Sequence, residues 1–237
     1  MNTSRMAVLA SIVLAGGAAL TALGPAAQAA AFDPCAATGN GRLRYTTGTA
    51  KHLVFAVSSG SSSNEVVVTE CVNKGRSWEK MSATTGRAGR NGFAEHGEKR
   101  EGDGKSPTGS YRLSEAFGVS DPGTSLPYRR LRDSGDCWGA TPGHGDYNKY
   151  YAGPCRSGDE DLSAIMRAGT YRQAVVIDYN RPRVVDGHGS AIFFHIGGRT
   201  PTAGCISISK PKLRAVMRTL AEGDRIIMGP RAALFRP

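Results

Sequence analysis

Ala191-Ile192-Phe193-Phe194-His195-Ile196-Gly197-Gly198-Arg199-Thr200-Pro201-Thr202-Ala203-Gly204-Cys205-Ile206-Ser207-Ile208-Ser209 is the stretch on which the fold turns. Its first six residues are apolar on both faces apart from the histidine, as in a central strand covered on both sides. Residues 197–204 hold three glycines and a proline and read as a loop. Residues 205–209 alternate, which puts Cys205 and Ser207 on one face and the two isoleucines on the other. An amphipathic helix is predicted over 210–222, because Leu213, Val216, Met217 and Leu220 fall at i, i+3, i+4 and i+7. Ser209 caps it and Gly223 stops it, and residues 225–228 make a last strand.

Moving upstream, residues 173–179 (QAVVIDY) read as a strand. Residues 159–168 (DEDLSAIMRA) read as a short helix, capped by Ser157 or Asp159 and stopped by Gly169. Residues 126–154 are aromatic and polar without periodicity, a long excursion pinned by Cys137 and Cys155. Residues 86–109 are rich in glycine and charge and read mostly as loop. Residues 53–57 and 65–70 read as strands joined by the flexible segment 58–64 (SSGSSSN). The chain is thus mainly β with a few helices (α+β). No internal repeat or linker divides it.

The N-terminus is different in kind. Arg5 is followed by an apolar run of small residues over 7–23, then Pro25 and the small-x-small pattern Ala27-Gln28-Ala29. That is the layout of a secretory signal peptide, so residues 1–29 are expected to be removed. The mature chain, 30–237, is then one domain with its core over about 53–229. Gly16, Gly17 and Thr21 dilute the run too far for a membrane anchor, and no membrane association is expected after cleavage. Export places the protein where disulfides persist.

There are five cysteines, so one is left over from any intramolecular pairing. Cys35, Cys71, Cys137 and Cys155 allow three pairings. Cys35–Cys71 with Cys137–Cys155 closes the shorter loops. No C-x-x-C spacing or histidine cluster suggests a metal site. Cys205 stands apart, ten residues after His195. A free thiol is a weak nucleophile near neutral pH, and a nearby imidazole can take its proton to give a thiolate–imidazolium pair. The small residues before it let backbone N–H groups face a reacting carbonyl. Spacing alone equally fits a buried structural thiol beside a core histidine. His188 sits in a glycine-rich turn, and His52, His96 and His144 have no evident partner.

Other motifs fail. Gly104-Lys105-Ser106 resembles a phosphate-binding loop, but Lys99 stands where the motif needs glycine, and Pro107 blocks the helix. No G-x-S-x-G occurs. The net charge of +10 lacks a dense basic run interleaved with aromatics, so nucleic acid is not an expected partner.

Phe194-His195-Ile196-Gly197 followed by Thr202-Ala203-Gly204-Cys205-Ile206-Ser207-Ile208 resembles the catalytic signature of L,D-transpeptidases of the YkuD/ErfK type. Residues 102–111 (GDGKSPTGSY) resemble that family's proline-glycine strand-loop. Residues 177–180 and 189–193 resemble elements of an exported bacterial branch. Two positions depart from the common pattern: Ala203 stands where many members have histidine, and Ser207 where many have arginine. The resemblance implies a mixed sheet or sandwich with the active-site cysteine at a loop-to-strand junction. It implies a cysteine acyltransferase of the cell wall that needs no cofactor, with Cys205 as nucleophile and His195 as base, then acid. Thr202, Ala203 and Gly204 would form the oxyanion and substrate site. Peptidoglycan stem peptides would be the substrate, attacked after their third residue to release D-alanine and form 3→3 cross-links. Water as acceptor would give a carboxypeptidase, and a non-catalytic wall-binding protein is the third reading. The positive charge suits anionic wall polymers as partners, or an ordinary solvated surface. Whether a basic residue such as Arg199 grips the donor carboxylate is open at this level.

Overall fold

A computed structural model describes Met1 and residues 32–237, so the body of the expected signal peptide lies outside the described residues. In chain order the strands are β1 (His52–Ser58), β2 (Glu65–Asn73), β3 (Trp78–Arg87), β4 (Phe93–Ala94), β5 (Ser106–Pro107), β6 (Gly109–Gly118), β7 (Tyr128–Arg130), β8 (Asp136–Trp138), β9 (Tyr150–Ala152), β10 (Glu160–Asp161), β11 (Gln173–Ile177), β12 (Phe193–Ile196), β13 (Ile206–Ile208) and β14 (Arg225–Pro230). The helices are α1 (Pro34–Gly39), α2 (Leu162–Arg167), α3 (Lys210–Met217) and α4 (Arg231–Leu234). The fold is mostly β with a few helices, and residues Asp33–Pro237 form one unit.

Nine strands make the main sheet, in the order β11-β12-β13-β3-β2-β1-β14-β6-β7. The second half of β6 also pairs with β11, so the sheet closes on itself. β8, β9 and β10 form a small separate sheet from the 126–154 excursion and the segment after it.

The double-sided strand is central, as its composition implies. Phe194 joins Val175, Ile206, Ile208, Leu213 and Met217 in one core. Phe193 turns to the other face, with Trp138, Leu162, Tyr171, Val176 and Cys205. Its ring meets those of Phe117, Trp138 and Tyr171 edge-on, with centroids 5.0, 5.0 and 5.5 Å away. Such pairs each add about 0.5–1.5 kcal/mol beyond burial. The β13 alternation holds too, since Cys205 packs in one core and both isoleucines in the other.

Several boundaries differ from expectation. β3 carries no apolar stripe. Met81, Ala83 and Thr85 face solvent, Gly86 is its one buried residue, and the strand exists because it pairs along all of β2. β6 follows the proline-glycine loop and escaped the pattern reading, because polar Ser110, Arg112, Ser114 and Glu115 interrupt its apolar positions. α2 begins later than expected. Its cap is Asp161, whose carboxylate accepts from Ala164 N at 2.8 Å. Asp159 instead accepts from Ala140 N, Thr141 N and Thr141 Oγ1. Burial alone would raise its pKa, yet these bonds and that from the Tyr151 hydroxyl hold it at about 2. Gly169, at φ 107°, does stop the helix. α3 ends at Met217, short of 222, and Ser209 sits at its N-cap without a side-chain cap bond.

The disulfides are Cys35–Cys71 and Cys137–Cys155, with Cα separations of 5.7 and 5.5 Å, and Cys205 is free and buried. The first ties α1 to β2. The second ties β8 to the turn after β9. Among the described residues, no helix is long and apolar enough to cross a membrane.

Candidate active site

β12 and β13 run parallel, with His195 opposite Ser207. Cys205 lies two residues before Ser207 and so points to the same face as His195. Both side chains line one cavity of about 330 Å³, together with Tyr171, Glu160, Glu101 and Arg90. Each is only 7% exposed.

The cysteine turn is held from three directions. Thr202 Oγ1 donates to Cys205 O at 2.7 Å and accepts from Gly204 N at 3.1 Å. Ser106 Oγ, from the proline-glycine loop, donates to Gly204 O at 2.6 Å and accepts from Gly89 N at 2.9 Å. Thr202 N and O bond to Ala88 O and Arg90 N. A Cβ on Gly204 would sit 3.1 Å from Lys105 O and 3.2 Å from Ile192, so the turn packs here more closely than most side chains allow.

The sulfur is also fixed. Cys205 Sγ accepts from Phe193 N and donates to Ala191 O, both at 3.3 Å, and Tyr171 packs with Cys205 in one buried cluster. Ala191 has φ 50°, a costly conformation for a residue with a Cβ. Asn148 holds it there. The Asn148 Oδ1 accepts from Ala191 N at 3.2 Å and from Trp138 Nε1 at 3.1 Å, while its Nδ2 donates to Tyr179 O and Asn180 O. The excursion thereby aims a carbonyl at the thiol.

His195 Nδ1 lies 2.9 Å from Ile196 O, which accepts its hydrogen; Nε2 is then the unprotonated nitrogen in the neutral ring. Burial pulls the His195 pKa down to about 4, against the opposing bond to Ile196. Burial, then the nearby Glu160 charge, pushes the Cys205 thiol up to about 12. Sequence reasoning pointed to a thiolate–imidazolium pair. Burial of both groups favours a neutral thiol and a neutral imidazole at rest, because each charged form loses hydration.

The remaining predicted residues fall into place by contact. Arg90 lines the cavity, whereas Arg199 does not. His188 is outside it, and His52 and His96 pair elsewhere, with Asp224 and with Thr108 O. Ala203 lines the cavity. Gly204 N–H is already taken by Thr202, so it does not face the cavity as an unpaired donor. Tyr171, Glu160, Ala191 and Asn148 escaped sequence reasoning. Ala191 lies in the 189–193 family element, whereas Tyr171, Glu160 and Asn148 belong to no motif, and only the fold brings the four together.

No curated protein matches the chain. Among solved structures it is similar to the helical cell shape determining protein Pgp2 from Campylobacter jejuni, at 16% identity and a TM-score of 0.42, over 83% of this chain and 53% of that one. The chain therefore spans about half the length of that protein. Residues 55–228 match the family model for the L,D-transpeptidase catalytic domain, YkuD. That match takes in the histidine strand, the cysteine turn and the proline-glycine loop that clamps it, and on this ground the chain belongs to the YkuD family of L,D-transpeptidase catalytic domains.

Proposed function

We propose that this chain is an exported L,D-transpeptidase that acts on peptidoglycan stem tetrapeptides through a Cys205 thioester. One observation carries the reading. A free thiol and an imidazole from adjacent parallel strands share one cavity inside a family of transpeptidase catalytic domains.

The proposed steps follow from the resting state. As sulfur attacks the carbonyl after the third stem residue, the thiol proton passes to His195 Nε2, whose tautomer the Ile196 carbonyl fixes. The charge thus develops only as the C–S bond forms. The Ala203 and Cys205 N–H groups stabilise the tetrahedral oxyanion. Collapse breaks the C–N bond, and His195 returns the proton to the departing D-alanine amine. A neighbouring stem's amine then attacks the thioester, gives its proton to His195, and the thiol is restored. Water in that place would make the product a tripeptide. Arg90, on the cavity wall, suits the terminal carboxylate of the donor. The net positive charge would favour residence on an anionic wall.

The test is the product mixture from a purified monomeric tetrapeptide stem. A mass increase corresponding to a cross-linked dimer, lost in Cys205→Ala and in His195→Ala, is the expected result. Tripeptide alone would assign the hydrolytic reading. Unaltered substrate with retained wall binding would assign the binding reading.

A further inference from the structure

Tyr171 occupies an unusual place. It sits buried in the short turn Thr170–Arg172 between α2 and β11, and its ring meets His195 edge-on with centroids 5.5 Å apart. Its hydroxyl donates to Glu160 Oε2 at 3.1 Å, and Tyr171 and Cys205 pack in one buried cluster on the wall of one cavity. One side chain therefore meets the imidazole, bonds a carboxylate and shares a buried cluster with the cysteine.

Glu160 is half-buried in the wall of the same cavity. Among the described residues, no lysine or arginine pairs with its carboxylate. Lys99 lines the cavity too, but its ammonium is spent on Asp103 Oδ1 and Arg100 O, both at 2.7 Å. The other ionisable groups on the cavity are Arg90, Glu101 and His195. Glu101 is itself bonded to Tyr147 and Ser190. Glu160 is thus a carboxylate whose partner is a phenol, and that phenol lines the same cavity as the thiol.

A phenol has one hydrogen to donate, and here Glu160 takes it while the Cys205 thiol lines the same cavity. We propose that Tyr171 and Glu160 are positioning residues that set how readily Cys205 loses its proton. Glu160 draws the Tyr171 hydrogen away from sulfur and opposes an anion there. The Tyr171 hydroxyl, when it turns to sulfur, supports that anion. The two groups act in opposite directions on one atom. Burial raises the Glu160 pKa, against the bond from Tyr171, and protonation of Glu160 would release the hydroxyl to sulfur. The proposal rests on the reading of Cys205 as the reacting group.

The test is the rate at which iodoacetamide alkylates Cys205 in the intact folded protein at a fixed, mildly alkaline pH, followed by intact mass, with Cys205→Ala as the blank. Below the thiol pKa this rate follows the thiolate fraction, about tenfold for each unit of pKa. Glu160→Gln keeps the shape and the acceptor and removes the charge, and it should speed alkylation about tenfold. Tyr171→Phe keeps the ring packing and removes the hydroxyl, and it should slow alkylation several-fold. Loosened packing would speed both, so opposite signs separate positioning from structure. Equal rates in all three proteins, or two shifts of the same sign, would overturn the proposal. Neither result would touch the transpeptidase reading, which is decided on product and not on alkylation.

Discussion

His195 stays neutral down to about pH 4 because its ring is buried, and that has two measurable consequences. The first is on activity. A base that is neutral across the mildly acid range should place the acid limb of the kcat/KM profile near pH 4, well below an ordinary histidine's 6.5, and a limb near 6.5 would contradict this environment. The second is on stability. The unfolded histidine binds a proton below about 6.5 while the folded one waits until about 4, so stability is present above 6.5 and lost as pH falls through that window. The loss amounts to about 3 kcal/mol. His195→Phe should flatten that part of a urea-midpoint curve against pH. Cys205 acts at the other end: its folded pKa is raised, so stability declines as pH climbs from about 9 towards 12. At this scale the sequence was informative about identity, but it pointed to a charged pair where burial favours a neutral one. The cysteine count, the ten-residue spacing and the flanking glycines pointed to Cys205 and His195. The neutral resting pair depends on burial supplied by Tyr171, Phe193 and Trp138, whose convergence no local pattern encodes.

Among the elements, the two disulfides should behave differently. Cys137–Cys155 closes an 18-residue separation in the segment that brings Asn148, Ala140 and Glu160 to the site, whereas Cys35–Cys71 ties α1 to β2. Loop-closure reasoning gives each about 3–4 kcal/mol of stability. Replacing Cys137 and Cys155 with alanine should lower both the melting temperature and kcat. Replacing Cys35 and Cys71 should lower the melting temperature while kcat is kept in the protein that remains folded. Thermal melts and steady-state rates on the two double variants check this. A second packing prediction concerns β12. Phe193→Ala should cost about 3–5 kcal/mol, because the ring is fully buried among three aromatic neighbours. Elements with a clear hydrophobic period, such as β11, β12, β13 and α3, were legible from residues alone. β3 was not, because it is an outward-facing strand stabilised by its ladder to β2. The three-residue strands β8 and β9 were hidden inside an aperiodic stretch, since their order comes from the disulfide and from side-chain bonds to Asp136 and Asp159.

For the whole molecule, topology explains why the chemistry sits where it does. The sheet closes through β6 and β11, and the excursion packs on the outer face of β11 and β12. That packing leaves a cavity at the end of β13 where the cysteine turn enters. The proline-glycine loop, legible as a motif but not as a contact, acts as the clamp through Ser106. The central claim is that Cys205 carries the acyl group. Intact-mass measurement of the purified protein, quenched in acid during turnover of a tetrapeptide stem, decides it. The expected result is a covalent adduct equal to the tripeptide acyl group, mapped to Cys205, with free D-alanine accumulating over successive turnovers. D-alanine release by Cys205→Ala, or an acyl group mapped to any other residue, would contradict it.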